Sequence, residues 1–242
     1  MKVTVLVPAA GSGTRMGKGT KKQFLLLGGM PVLAHTLRRF EDLPEVMEII
    51  PIVPEDEMEH CLEKCVECQG LKKVRRVVPG GQQRQDSVFN GLREVGPDAD
   101  YVMIHDGVRP FITKDLIMGL FKAVLSCDGA ILAVLAKDTL KEVGKDFLVK
   151  RTLDRRTCYQ VQTPQVFSYR KLVEAFERAY SDGFYGTDEA SLVERCGGKV
   201  RVVTGSYYNI KITTPEDMVL AEALLMKEAK EKNQRKRTVP PK

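Results

Sequence analysis

The stretch VTVLVPAAGSGTRMGKG, residues 3–19, decides the fold, because a continuous apolar run leads directly into a glycine-rich turn. The run at 3–8 predicts a strand covered on both faces, as in parallel sheets packed between helices. Outward from it, strand and helix patterns alternate along the chain, with further strands predicted at 46–54, 72–78, 99–106 and 129–135 and helices at 31–43, 85–95 and 113–126. This alternation predicts an α/β fold with an open, twisted, mostly parallel sheet flanked by helices.

The glycine-rich turn resembles two phosphate-binding templates and fits neither. The dinucleotide template GxGxxG fails because Gly17 stands one residue too late, after Gly11 and Gly13. The P-loop template GxxxxGK[ST] fails because Ser12 replaces its first glycine and Gly19 replaces its hydroxyl residue. The turn therefore indicates an anionic ligand without identifying the protein class.

Three unusual loops follow predicted strands. They read PAAGSGTR after the first strand, PGGQQRQDS after 72–78, and HDGVRP after 99–106. Ligands of open α/β sheets bind beyond the carboxyl ends of the strands, so we expect these loops to meet in one site.

The alternation changes beyond about residue 137. The segment from about 137 to 159 is polar and alternating and predicts an extended hairpin, which has too little apolar surface to be stable alone and so is expected to lie on a second subunit. Helices are predicted at 168–181 and 187–196, strands in KVRVVTG and YYNIKIT, and a closing helix in TPEDMVLAEALLMKEAK. We predict a single domain over 1–231 and a disordered basic tail over 232–242.

The net charge of +6 is concentrated at the end of the chain. Residues 226–242 carry seven Lys or Arg and two Glu, which leaves +1 for the rest. A short basic tail is usually only solvated, so nucleic-acid binding is not expected. We find neither an apolar run of about 18 residues nor a signal peptide, so the sequence predicts no membrane association and a cytoplasmic location.

Three of the six cysteines, Cys61, Cys65 and Cys68, have the CxxxCxxC spacing of some iron–sulfur ligands. They fall on a predicted helix, where they would spread over about 10 Å along the axis at ~1.5 Å per residue. That is too far apart for one compact cluster, so packing in the core is the favoured interpretation. The sequence assigns no role to Cys158.

Two cations and one carboxylate carry the predicted chemistry. Arg15 lies in the glycine-rich turn and Lys22 follows it, which suits the charge that develops in phosphoryl or nucleotidyl transfer. Asp106, at the end of a buried strand, could hold Mg²⁺ together with substrate oxygens. A metal hydrolase would need several histidines at the loops, but besides His105 the sequence has only His35 and His60, which fall on predicted helices far from the loop ends. The serine hydrolase motif GxSxG does not occur.

These motifs, taken in order, are PAAGSGTRMG, KKQF, PGGQQRQDSV, HDGVRPF, DTLK, TLDRR, QTPQ, TDEAS and NIKIT. Together they resemble the 2-C-methyl-D-erythritol 4-phosphate cytidylyltransferase family of the non-mevalonate isoprenoid pathway. The similarity extends from about residue 2 to 225. It implies a Rossmann-like nucleotidyltransferase with Mg²⁺ as metal, CTP as co-substrate, a protruding β-hairpin arm, and a homodimer in which the arm crosses to the partner subunit.

The resemblance also implies roles for individual residues. Arg15, Lys22, Arg155 and Lys211 would be catalytic, with Arg15 and Lys22 stabilising the pentavalent α-phosphate. The CTP site would consist of Ala9, Ala10, Gly11, Ser12, Gly13, Gly81, Ser87, Asp106 and Lys211, with Asp106 carrying Mg²⁺. The alditol phosphate would be held by Arg109, Asp138, Thr139, Arg155 and Thr163.

Two departures from the family pattern affect base recognition. Gln82 stands where many relatives carry an acidic residue, and Gly107-Val108 replaces a more usual pair of alanines. The similar ribitol 5-phosphate cytidylyltransferases are the first alternative. A nucleotide-binding regulator without turnover is the second, and a dinucleotide-dependent oxidoreductase is the third, which the late Gly17 disfavours.

Overall fold

A computed structural model describes residues 1–11, 13 and 21–238. The chain divides into two compact units. The first comprises residues 1–114 and 208–242, and the second comprises residues 115–207. The predicted single domain over 1–231 stays a prediction, and each unit is described separately below.

The first unit contains a parallel sheet in the order β5-β4-β1-β6. Its strands are β1 (Val3–Pro8), β4 (Val46–Val53), β5 (Val78–Pro79) and β6 (Tyr101–Ile104), and a separate antiparallel pair is formed by β2 (Leu26–Leu27) and β3 (Met30–Pro31). In β1, Val5 lies opposite Ile49 on one side and Met103 on the other. All three side chains are fully buried, as the apolar run predicted.

Four α-helices belong to the first unit, and they are α1 (Val32–Glu41), α2 (Met58–His60), α3 (Arg84–Arg93) and α7 (Pro215–Thr238). Of these, α1 and α3 pack on the parallel sheet and α7 packs on β2. In α1 the buried positions Leu33, Leu37 and Phe40 recur at helical spacing. Arg39, in its last turn, donates to Pro110 O at 2.7 Å and pairs with Glu228 of α7 at 2.8 and 3.0 Å.

A second apolar cluster lies where the closing helix returns to the unit. Its buried members are Leu27, Val32, Val108, Phe111, Ile212, Ala221 and Leu224. Two loops meet in this cluster through Val108 and Ile212, and a hydrogen bond from Ile212 N to Val108 O at 2.9 Å also joins them. Those loops carry Asp106 and Lys211.

The cysteine segment is helical, as predicted, from Glu55 to Gln69, although residues 61–66 form a wider π-helical turn. Gly70 ends it in the left-handed conformation, at φ 63°. Cys61 and Cys65 are fully buried, whereas Cys68 is exposed. Two of the three cysteines therefore pack in the core.

The second unit contains the strands β7 (Gly129–Leu135), β10 (Tyr159–Ser168) and β11 (Val200–Thr204). The central strand β7 pairs parallel with β11 and antiparallel with β10. Its helices are α4 (Lys114–Val124), α5 (Tyr169–Ser181) and α6 (Glu189–Arg195). The predicted α/β class, with a mostly parallel sheet flanked by helices, is confirmed.

The polar segment after β7 forms the predicted extended hairpin, from β8 (Lys141–Val143) and β9 (Val149–Thr152). Side chains near its tip are strongly exposed, with Phe147 at 90% and Leu148 at 68%. Its role as a dimerisation arm stays a prediction.

Two predicted strands are wrong over most of their length. In 72–78, only Val78 enters the sheet apart from an isolated bridge at Val74, because polar side chains such as Arg76 pair with Glu48 at 3.1 Å at the surface. The predicted strand in YYNIKIT, 207–213, is an irregular segment. Its groups bond locally instead: Arg109 Nη1 donates to Asn209 O at 2.8 Å, and Thr213 N donates to Asp217 at 2.7 Å.

The closing helix α7 extends to Thr238, into the segment that the sequence assigned to a disordered tail, and residues 239–242 lie outside the described part of the chain. Among the described residues, the structure contains no helix with the length and apolarity that crossing a bilayer requires.

Candidate active site

A cavity of about 420 Å³ opens in the first unit, where β1, β5 and β6 end. It is lined by Pro8, Ala9, Ala10, Gly11, Lys22, Gln23, Gly81, Gln82, Gln83, Arg84, Ser87, Asp106, Val108 and Lys211. The three loops that the sequence singled out therefore meet at one edge of the sheet, with the NIKIT segment beside them. This is the ligand position that parallel α/β topology favours.

The turn after β1 contributes backbone and small side chains. Ala9 N donates to Ile52 O at 2.7 Å, which continues the strand pairing into the turn. Ala9, Ala10 and Gly11 then line the cavity, as predicted, and Gly13 has φ 67°. Two predicted site residues of this turn, Ser12 and Arg15, lie outside the described residues.

A second glycine turn forms the opposite wall. A side chain at Gly80 would collide with Ala10, so the close approach of the two turns requires glycine there, and a side chain at Gly81 would collide with Asp86 in the following helix. Ser87 Oγ accepts from Gly81 N at 3.0 Å and donates to Gln83 O at 3.0 Å. The predicted residues Gly81 and Ser87 therefore both line the cavity, and Ser87 also fixes the shape of the turn.

Lys22 and Gln23 reach the cavity from a short 3₁₀ turn, Lys22–Phe24. The preceding Lys21 faces elsewhere and pairs with Asp56 at 2.7 Å and Glu57 at 2.8 Å. Gln23 is 1% exposed, and its Nε2 has no hydrogen-bond partner among the residues that the structure describes. The predicted cation Lys22 thus lies at the cavity beside a buried amide that the sequence did not single out.

Three cationic side chains lie close to the carboxylate of Asp106. Its Oδ2 lies 2.9 Å from Lys211 Nζ and 3.3 Å from Arg109 Nε, and its Oδ1 lies 3.5 Å from Arg84 Nη2. Asp106 is nearly buried, at 8% side-chain exposure. One negative charge facing three positive charges leaves an excess of positive charge at the mouth of the glycine turns, which favours a polyanionic ligand.

The same contacts determine the ionisation of Asp106. Burial would raise the pKa of its carboxyl, but the positive charges of Arg84, Lys211 and Arg109 outweigh burial and hold the pKa well below its usual range. Burial also lowers the pKa of Arg109, although Asp106 partly restores it. Asp106 is therefore an anion at neutral pH.

Asp106 is also the one carboxylate among the described lining residues. Within the part of the chain that the structure describes, we find no group of three His, Cys, Asp or Glu side chains placed to hold a metal ion. A metal at this site would consequently take Asp106 and ligand oxygens. The neighbouring His105 is fully buried, bonds to Arg109 O at 3.0 Å and contacts the Phe40 ring edge-on, so its surroundings are those of a core residue.

Four of the five predicted substrate residues, Asp138, Thr139, Arg155 and Thr163, belong to the second unit, where Arg155 contacts the segment before Asp138. Arg155 Nη1 donates to Lys137 O at 3.0 Å. Asp138 and Thr139 are exposed, and Thr163 is buried in β10 at 5% exposure. Arg109 is in the first unit, where it contacts Asp106 and Asn209 and is not among the residues that line the cavity.

Both departures from the family pattern fall at the cavity. Gln82 lines it and is exposed. Val108 lines it too, and a Cβ at Gly107 would come within 2.8 Å of Ala9 Cβ and 3.0 Å of Leu33 Cδ1. The turn after β6 is therefore packed tightly against the turn after β1.

Sequence reasoning missed Arg84 and Gln23. Arg84 could have been found, because it opens the helix that follows the second glycine turn, at the same edge of the sheet. Gln23 carries no such signal, since an amide beside two lysines is as common on a protein surface as in a site.

Comparison of the sequence with known protein families finds one that matches nearly the whole chain. The model of the family "IspD: 2-C-methyl-D-erythritol 4-phosphate cytidylyltransferase" matches residues 3–227.

Proteins of that name are similar over nearly the whole chain. The one from Geobacter metallireducens is 51% identical over 228 residues, covering 93% of this chain and 98% of its own. The one from Geotalea uraniireducens is 53% identical over 227 residues, covering 93% and 97%.

Solved structures are similar as well. The crystal structure of 4-diphosphocytidyl-2C-methyl-D-erythritol synthase from Anaerococcus prevotii has a TM-score of 0.82 at 34% identity, with 93% of this chain and 98% of that chain covered. The 2-C-methyl-D-erythritol 4-phosphate cytidylyltransferase from Thermus thermophilus has a TM-score of 0.75 at 33% identity, covering 93% and 98%.

Proposed function

The chain belongs to the 2-C-methyl-D-erythritol 4-phosphate cytidylyltransferase family, and we propose that the cavity of its first unit binds the CTP of that reaction. The enzyme transfers a cytidylyl group from CTP to 2-C-methyl-D-erythritol 4-phosphate, in isoprenoid biosynthesis. The observation that carries the assignment of the cavity is its charge. Among the described lining residues, three are cations, Lys22, Arg84 and Lys211, and one is a carboxylate, Asp106, and two glycine turns contribute to the same lining.

The reaction joins two phosphates. A phosphate oxygen of methylerythritol phosphate forms a bond to the α-phosphorus of CTP, the bond from that phosphorus to the α,β-bridging oxygen breaks, and pyrophosphate leaves with the electron pair. A phosphate monoester is already largely ionised at neutral pH, since its second pKa is about 6, so the attack needs no general base. Catalysis then consists of positioning two anions that repel each other and neutralising their charge.

The described residues suit that task. Lys22 and Lys211 reach the cavity from different segments, and we assign both to the charge that develops on the α-phosphate. Arg15 keeps the same assignment as a prediction from the sequence. The glycine turns offer backbone N–H groups to the phosphates, and Gly80 and Gly81 leave no room for a side chain.

Mg²⁺ is part of the proposal. Magnesium is usually held by one or two carboxylates together with substrate phosphates, and Asp106 supplies one ionised carboxylate at the cavity. The donor set therefore fits a metal that is completed by the nucleotide. When bound, the ion would neutralise charge on the phosphate chain.

We assign the alditol phosphate to Arg109, Asp138, Thr139, Arg155 and Thr163, and the hairpin over 137–159 to contact with a second copy of the chain. The exposure of the hairpin supports this second assignment. Val143, Phe147, Leu148 and Val149 are between 45% and 90% exposed, and a two-stranded hairpin gains little stability alone. The cytoplasmic location stays a prediction from the sequence.

A pyrophosphate-release assay tests the function. With CTP and Mg²⁺, we expect one pyrophosphate for each methylerythritol phosphate consumed. With ribitol 5-phosphate we expect less than about one-tenth of that rate, since ribitol has a longer carbon chain and one methylene in a fitted pocket is worth about 10-fold or more. Equal rates would favour the ribitol enzyme. CTP binding without any pyrophosphate release would favour the regulator.

A further inference from the structure

The buried amide of Gln23 borders the cavity, and the structure gives its donor no acceptor. Gln23 is 1% exposed and belongs to the cavity lining, and its Nε2 has no hydrogen-bond partner among the residues that the structure describes. Buried polar groups are nearly always hydrogen-bonded, because a buried donor without an acceptor destabilises the folded protein. An exception at the wall of a cavity indicates a group that serves a bound molecule.

Gln165, in the second unit, shows the usual surroundings of a buried glutamine. It too is 1% exposed, but its Nε2 donates to Asp188 Oδ2 at 2.8 Å and its Oε1 accepts from Ala190 N at 3.2 Å. Both ends of this amide are therefore bonded within the protein. Gln165 has a structural role that explains its burial, whereas burial of Gln23 has no such explanation in the described contacts.

The backbone on both sides of Gln23 is fixed by hydrogen bonds. Phe24 N donates to Lys21 O at 2.9 Å, which closes the short 3₁₀ turn, and Val32 N donates to Leu25 O at 2.9 Å, which ties the turn to the start of α1. The last torsion of a glutamine side chain is broad, so the amide can rotate on this fixed backbone. Its N–H group can therefore turn to an acceptor in the cavity without movement of the main chain.

The neighbours of Gln23 indicate the kind of acceptor. The described cavity lining has three cationic side chains and one carboxylate, and one of the cations, Lys22, directly precedes Gln23. An amide N–H group donates more strongly to an anionic oxygen than to a neutral one, and it adds no charge of its own. From these observations we infer that Gln23 is a further ligand-binding residue, whose Nε2 donates to an oxygen of the phosphate chain of CTP. The inference rests on the proposed CTP site.

The test compares Gln23→Met with Gln165→Met, since methionine has about the size of glutamine and lacks its donor. Binding of CTP and of inorganic pyrophosphate is measured by calorimetry, and binding of cytidine by competition. We expect Gln23→Met to weaken CTP and pyrophosphate by about 10- to 100-fold, the range for losing a hydrogen bond to a charged group, and to change cytidine less than threefold.

Stability without nucleotide distinguishes a ligand-binding amide from a structural one. The urea midpoint of Gln23→Met should equal or exceed that of wild type, because the substitution removes a buried amide that the protein leaves unpartnered. Gln165→Met should have a lower midpoint, since it takes away the partner of Asp188 and Ala190, and it should bind CTP within threefold of wild type.

Two results would overturn the inference. If Gln23→Met binds CTP within threefold of wild type, the amide has no ligand contact. If cytidine weakens as much as CTP, the contact is not to the phosphates. Gln23→Glu is a second variant, with the same size but an acceptor in place of the donor. At pH 8 it should weaken CTP at least as much as Gln23→Met, and binding within threefold of wild type would again contradict the inference. A wild-type protein that binds neither CTP nor pyrophosphate would instead refute the proposed function.

Discussion

Lys21 and Lys22 are identical side chains on neighbouring residues with different surroundings. Lys22 lines the cavity, whereas Lys21 pairs with Asp56 and Glu57 outside it. We expect Lys22→Met to lower kcat by at least ~100-fold, because it removes a preorganised charge from the transferring phosphate. Lys21→Met should change kcat less than about threefold, since exposed ion pairs contribute little.

Steady-state kinetics of both variants check this prediction. A loss of less than tenfold in Lys22→Met would remove Lys22 from the catalytic group. Equal losses in the two variants would show that the turn had moved, because only one of the two lysines reaches the cavity.

Gly107 provides a test of packing between the turns. An added methyl group would come within 2.8 Å of Ala9 Cβ, closer than such atoms normally approach. We expect Gly107→Ala to lower the free energy of unfolding by about 1–3 kcal/mol, the usual cost of overpacking. Ala9 lines the cavity, so the Kd for CTP should rise as well.

Gly119→Ala is the matched control for Gly107→Ala. Gly119 lies inside α4, and its added Cβ would meet Val203 at 3.5 Å, an ordinary contact. Alanine is favoured over glycine inside a helix by up to about 1 kcal/mol, so this variant should be as stable as wild type or more stable. Urea unfolding of both variants decides. A Gly107→Ala protein as stable as Gly119→Ala would show that the turns yield without cost.

At the level of elements, the start of α7 shows how a loop residue and a helix residue share hydrogen bonds. Asp217 Oδ2 accepts from Thr213 N and Oγ1, each at 2.7 Å, and from Thr214 N at 2.9 Å. Burial raises the pKa of Asp217, but these hydrogen bonds outweigh burial and lower it. The carboxylate therefore stabilises the helix start and the NIKIT segment that precedes it.

We expect Asp217→Ala to lower the free energy of unfolding by about 1 kcal/mol at pH 7, as losing a helix cap does. Because the folded pKa lies below the unfolded value near 3.9, this contribution is present above about pH 4 and is lost as the pH falls through the folded pKa. The difference between wild type and variant should shrink below pH 4 in urea titrations. Glu222→Ala, at an exposed position on the same helix, should stay within about 0.5 kcal/mol of wild type at both pH values.

The elements also show what a sequence can predict. The strands β1, β4, β6 and β7 could be predicted from their apolar runs, because a short continuous apolar run between turn signals is typical of a strand buried on both faces. The segment 207–213, YYNIKIT, also has a sequence typical of a strand, but it is irregular in the structure. Its backbone bonds with Arg109, Val108 and Asp217, which are partners that only the folded chain brings together.

In the candidate site, too, some residues could be predicted from the sequence, whereas contacts that form only in the folded chain could not. Residues on the glycine turns, Lys22, Asp106 and Lys211 could be predicted, because their loops follow parallel strands or match family motifs. The contact between Arg84 and Asp106 joins a helix start to the end of a different strand, and nothing local in the sequence indicates it.

At the level of the whole molecule, the proposal places two kinds of active-site residue in different units of the chain. Lys22 belongs to the first unit, and Arg155 follows the hairpin in the second. If the hairpin reaches a second subunit, a complete site takes Lys22 from one chain and Arg155 from the other. This arrangement distinguishes an obligatory dimer from a monomer that merely associates.

Mixing two inactive variants tests the shared site. Lys22→Met and Arg155→Met should each lose at least ~100-fold in kcat as homodimers. After unfolding and refolding together in equal amounts, half of the dimers should be mixed, and each mixed dimer contains one site with both residues intact, so about a quarter of wild-type activity should return. Refolding each variant alone is the control. If the mixture stays as inactive as its components while native mass spectrometry shows mixed dimers, Arg155 acts within its own chain. If wild type sediments at the 27.1 kDa of one chain and is fully active, the dimer proposal is wrong.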